Sequence, residues 1–117
     1  MQFLSRQITK AVKLIYGFKK EEPRYSLIAT LFESGEYTEV YGLLSREVLS
    51  IQDFKDFWYF IQTQVETKYI SFEVIPGDAR VYKKFLSPIE IRTVKTFNGY
   101  DAEQLVILTQ QKIKFES

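Results

Sequence analysis

Apolar positions along the chain recur every three to four residues up to about residue 68 and every second residue beyond it. In the first stretch Leu4, Ile8, Ala11 and Ile15 stand at helical spacing and Phe18 continues the stripe. At about 100° per residue, Arg6, Lys10, Lys13 and Lys20 gather on the opposite side. The pattern predicts a basic amphipathic helix over residues 1–22. Glu21-Glu22-Pro23 would end it, because proline keeps the residue before it out of helical backbone angles.

Residues 24–49 admit two readings. As a hairpin, RYSLIATLF and YTEVYGLL are strands joined by Glu33-Ser34-Gly35-Glu36. As helices, Leu27, Ile28, Leu31 and Phe32 form one stripe, and Tyr37, Val40, Tyr41, Leu44 and Val48 form another, with Gly35 as a left-handed cap between them. Neither segment alternates polar and apolar residues, so the helical reading is preferred. A further helix is expected from about Ile51 to Lys68. Ser50 and Asp53 make a capping box in which the shorter acid replaces glutamate, and Ile51, Phe54, Phe57, Trp58, Ile61 and Val65 form the apolar face.

From Tyr69 the period is two. YISFEVI alternates and stops at Pro76-Gly77-Asp78, a second strand is expected around Arg80–Leu86, and IEIRTVKTF runs to a turn at Asn98-Gly99. The last strand, QLVILTQQKIKFE, sets Leu105, Ile107, Ile113 and Phe115 on one face and Val106 and Leu108 on the other. Helices followed by strands predict an α+β domain over residues 23–117, its sheet closed by the helices.

Composition narrows the chemistry. The chain has 117 residues, enough for one core, and neither histidine nor cysteine. That excludes Ser-His-Asp and Cys-His nucleophilic arrangements, thiolate metal sites and disulfides. No apolar run approaches the roughly 20 residues of a membrane helix, and no secretory leader is evident, so a cytoplasmic setting is expected. A net charge of +1 makes a nucleic-acid partner unexpected. The charge is uneven, however. Residues 1–20 carry five basic residues and no acid, whereas residues 21–50 carry six Glu against Arg24 and Arg46. Aromatic residues make up 16% of the chain, a surplus that suits a pocket or a partner surface.

The stretch LFESGEYTEVYGLLSREVLSIQDFKDFW resembles the opening of NTF2-like domains, and LTQQKIKFES is similar to that family's final strand, with Ile113 where a tryptophan is common. The resemblance covers residues 24–117. It implies a cone in which N-terminal helices pack on a curved antiparallel sheet of about four strands and can enclose an apolar pocket. Family members include isomerases, dehydratases and assembly modules, and the enzymes often use a pocket histidine or aspartate; this chain has no histidine, and none of its aspartates stands at a recognisably catalytic position.

Three functions follow as expectations. The first is a non-catalytic assembly module, a homodimer or one half of a protein complex, joined through an outer sheet face at Val106 and Leu108. The second is a protein for a small apolar ligand, or a histidine-free isomerase or dehydratase. Tyr41, Phe54, Phe57, Trp58 and Ile61 would line its pocket, and an acid such as Glu73 would supply the chemistry. The third is attachment to an anionic membrane through Arg6, Lys10, Lys13 and Lys20. Asp53 and Asp56 are read as cap and dipole partners rather than as a metal pair. Glu73, Arg80, Lys84, Glu90 and Arg92 are read as cross-strand charges on a solvated sheet face. No catalytic residue, metal or cofactor is assigned.

Overall fold

The computed structural model describes residues 1–19, 25–74, 76–96 and 98–112. The chain runs β1 (Gln2–Gln7), β2 (Val12–Phe18), β3 (Leu27–Ser34), β4 (Tyr37–Ser45), α1 (Ile51–Gln64), β5 (Tyr69–Val74), α2 (Pro76–Phe85), β6 (Glu90–Lys95) and β7 (Asp101–Leu108). All seven strands join one mixed sheet in the order β1-β2-β3-β4-β5-β7-β6. Neighbours are antiparallel except β4 and β5, which run parallel and are connected through α1, since a parallel pair needs a crossover.

This architecture corrects the cone of helices on about four strands. The first expected helix is the β1–β2 hairpin. Its turn is tied by Thr9, whose hydroxyl accepts from the backbone N–H groups of Ala11 and Val12. The stripe that looked helical divides between environments: Ile15 lies in the core, while Leu4 and Ile8 are exposed. Residues 27–45 take the hairpin alternative. Gly35, with φ +59°, stands first in a two-residue turn with Glu36, a position glycine fills without strain. The misreading has a physical cause. β3 is apolar on both faces, with Leu27, Ala29 and Leu31 on one and Ile28 and Phe32 on the other, so the period-two signal is erased.

α1 forms where its cap predicts. The Ser50 hydroxyl accepts from the Asp53 N–H at 3.1 Å and the Asp53 carboxylate accepts from the Ser50 N–H at 3.0 Å. The strand expected at Arg80–Leu86 is instead the end of α2, which opens on Pro76, a residue suited to the first helical position. Tyr82, Phe85 and Leu86 are buried at helical spacing. β5 and β6 lie within their predicted segments, whereas the last strand, placed from Gln104 onward, begins at Asp101 and ends at Leu108. Ile113 and Phe115 fall outside the described residues.

Ring contacts set both helices on the same face of the sheet. Phe57 and Phe60 of α1 touch Phe3 of β1, Trp58 meets Phe72 of β5, and Tyr82 of α2 meets Phe54, Trp58 and Phe72. The core lies between them, with Ile15, Ala29, Phe57, Ile61, Ile70, Leu105 and Ile107 sealed from solvent. Each of the isoleucine, leucine and phenylalanine side chains among them stabilises the fold by about 1.5–3 kcal/mol relative to exposure. The opposite sheet face carries no helix among the described residues.

Candidate functional site

β4 and β5 pair over four residues only, Tyr37–Val40 against Tyr69–Phe72. Beyond that point each keeps its outer neighbour and loses the other. β4 continues along β3, with Tyr41 opposite Thr30, Leu44 opposite Ile28 and Ser45 opposite Leu27, while Glu73 and Val74 continue along β7 opposite Gln104 and Glu103. The register of β3 and β4 shows why. Between Thr30 and Ile28, β3 supplies only Ala29, but β4 supplies both Gly42 and Leu43. This is a β-bulge, and Gly42, with φ +62°, adopts the left-handed angle that such a bulge favours. A bulged strand bends and twists, so β4 swings away from β5.

The gap is a cleft of about 240 Å³. One wall is Val40 to Leu43 of β4 and the other is Phe72 to Val74 of β5, with Trp58 of α1 beneath and Glu39 at the rim. The backbone groups of β4 that would have paired with β5 beyond Val40 have no strand partner there, so the wall offers the edge of a strand. The Trp58 indole N–H is buried and has no hydrogen-bond acceptor among the described residues, an exception to the rule that buried polar groups are paired. Glu39 and Glu73 give the lining two carboxylates, and it contains neither lysine nor arginine. A site with this lining suits an apolar or amide-bearing group between the strands and a cation or proton at its carboxylates.

The α1 N-terminus follows shortly after β4 and is capped by Ser50 and Asp53. Lys19 lies 3.3 Å from Asp53 and 3.4 Å from Glu47. Burial pushes the Asp53 carboxyl up, but hydrogen bonds from Ser50 and the Lys19 charge outweigh it and hold the group below its ordinary 3.8. Lys19 is raised above its ordinary 10.5, chiefly by its bond to Asp53. At the other end of β4 is a shallower cavity of about 430 Å³, whose border mixes Lys10 and Lys13 with Glu33 and Glu66. Lys13 donates there to the carbonyl of Gln64 at 3.1 Å.

Of the residues expected to form a pocket, Tyr41 and Trp58 border the cleft. Phe54 packs edge-on against Tyr82, and Phe57 and Ile61 are core. The basic residues share no helix face. Arg6 is on β1, Lys10 is in the turn, Lys13 is on β2, and Lys20 lies outside the described residues. Val106 is buried and offers nothing to a partner, whereas Leu108 is exposed. Arg80 and Lys84 belong to α2 rather than to a strand, while Glu90 and Arg92 pair on β6 at 2.6 Å. Asp56 lies 3.6 Å from the N-terminal amine. Sequence reasoning missed Gly42 altogether. A glycine inside an apolar run is the signal that points to a bulge.

No known family profile matches the chain, and no curated protein matches it. Solved structures do. FeeM, an N-acyl amino acid synthase from uncultured soil microbes, superposes with a TM-score of 0.68 over 86% of this chain and 74% of its own, at 11% identity. The spermidine N-acetyltransferase SpeG from Vibrio cholerae gives a TM-score of 0.57 over 86% of this chain and 67% of its own, also at 11% identity. The likeness overturns the NTF2-like resemblance and the functions drawn with it, namely the non-catalytic assembly module, the isomerase or dehydratase with an apolar pocket, and the membrane-bound helix. The last also loses its structural basis, because residues 2–7 and 12–18 are strands. In fold, the chain is similar to these two acyl-transferring enzymes.

Proposed function

We propose that the protein transfers an acyl group from a thioester to an amine, with the donor held in the cleft between β4 and β5. The observation that carries this is the parting of two parallel strands at the Gly42–Leu43 bulge, which leaves one strand edge free beside an apolar slot. Both similar structures belong to proteins named for acylating an amine nitrogen, which fits the two carboxylates at the cleft.

In this scheme the acyl chain rests against Val40, Leu43, Phe72 and Val74, and the thioester carbonyl accepts a hydrogen bond from the free edge of β4. The amine nitrogen attacks the carbonyl carbon, the carbon–sulfur bond breaks, and sulfur leaves as a thiolate that solvent protonates. Glu73, exposed on β5, takes the proton that the amine must lose.

Thiol release from a panel of acyl thioesters and amines tests the proposal directly, since a chain without cysteine contributes no thiol of its own. Amine-dependent release is expected. Glu73→Gln should lower it by about 10²-fold or more, and Val74→Trp, which fills the slot, should abolish it. No amine-dependent release with any donor would overturn the proposal.

A further inference from the structure

The helix-free face of the sheet is apolar across four strands. Phe3 points to α1, so Leu4 and Arg6 face the other way. The register then lays out three rows of side chains on that face. The first is Leu4, Tyr16, Ile28 and Leu44; the second is Arg6, Leu14, Thr30 and Tyr41; the third is Val12, Phe32 and Glu39. Leu44 is 68% exposed, Leu4 46%, Tyr41 43% and Phe32 38%. Tyr25 extends the patch, with its ring 5.1 Å from that of Tyr16 and 5.2 Å from that of Phe18. A contiguous apolar surface of this kind marks an interface.

Its charges identify the occupant. Within the three rows the charged residues are Arg6, on the outermost strand β1, and Glu39, on β4. We infer that this face packs on the same face of a second copy of the chain, about a two-fold axis that lies between β2 and β3 and runs along them. Such an axis sets β1 of one copy over β4 of the other and keeps positions along the strands. Leu4 then meets the partner copy's Leu44. Arg6 reaches the partner copy's Tyr41 ring and, one side-chain step along β4, its Glu39, making two identical cation–π and ion-pair contacts per dimer. Two sheets stacked at about 10 Å form a sandwich of ordinary thickness. β5 lies outside the overlap, so Glu73 and the outer wall of the cleft stay open. This inference does not depend on the acyl-transfer proposal.

Sedimentation of the full chain at micromolar concentration should give a dimer. Arg6→Glu and Glu39→Arg, each alone, should raise the dissociation constant by about tenfold or more, because each places like charges together twice. An equimolar mixture of the two variants should return to the affinity of the unaltered chain, since each then supplies what the other lacks. Leu44→Asp, at a position the folded monomer leaves in water, should weaken association independently of the charges. A monomer at every concentration, charge reversals without effect, or a mixture no tighter than its components would each overturn the inference.

Discussion

On the side of the sheet that carries α1 and α2, Ile15, Ala29, Ile70 and Ile107 are sealed from solvent. On the opposite side Leu4, Phe32, Tyr41 and Leu44, strand residues of the same sheet, are left open to it. Hydrophobicity does not separate the two sets. What separates them is whether a helix has been placed above them, and that depends on two crossovers, β4-α1-β5 and β5-α2-β6. The lesson extends to β4, which serves both faces. Its first half is pinned between two strands, whereas its second half, past the Gly42 bulge, is held on one side only and forms the wall of the cleft.

The largest test of the contrast is truncation on each side. Phe57→Ala should cost about 3–5 kcal/mol and Ile61→Ala about 2–5 kcal/mol in urea unfolding, because each leaves a cavity under the helix. Leu44→Ala, measured at low protein concentration, should change stability by no more than about 0.5 kcal/mol. Similar costs on the two sides would mean that the open face is covered in the monomer.

Next in size is the bulge. Gly42→Ala forces a side chain onto a left-handed backbone and should cost about 1–2 kcal/mol. Space is not the obstacle, since the nearest atom an added Cβ would meet is the Thr30 hydroxyl at 3.9 Å. The fluorescence of Trp58, the single tryptophan, lies at the cleft floor and should report the change in the slot. Ser50→Ala removes half of the capping box and should cost about 1 kcal/mol, leaving the sheet signal in circular dichroism unchanged.

The smallest effect is with pH. The Asp53 carboxyl titrates lower in the folded chain than its ordinary 3.8, so it adds stability above that pH. The contribution fades as pH falls through 3.8 and is gone below the depressed folded-state value. Asp53→Ala should flatten the acid limb of the stability curve over that window, whereas Leu44→Ala should leave its shape unchanged.

The parts of the molecule legible in the sequence are those whose cause lies within a few neighbouring residues. Ser50 and Asp53 close their box three residues apart, Trp58 and Ile61 follow at helical spacing, β5 alternates cleanly, and Asn98-Gly99 makes a turn with Gly99 at φ +82°. The first hairpin was not legible, because Leu4, Ile8, Ala11 and Ile15 mimic a helix without forming one, and the second stood only as the less favoured of two readings, because a strand apolar on both faces shows no alternation. Helix and strand differ there by backbone partners more than ten residues away, as in Leu4 opposite Tyr16 and Ile28 opposite Leu44. The cleft is more distant still. Tyr41 and Trp58 could be singled out as large rings, but only the meeting of β4 with β5, about 30 residues later in the chain, sets them on one opening. The sequence determined the cap, the turns and the apolar quantity available for a core. Tertiary structure decided which apolar residues were covered and where the sheet parted, because both depend on pairings that no local stretch of chain contains.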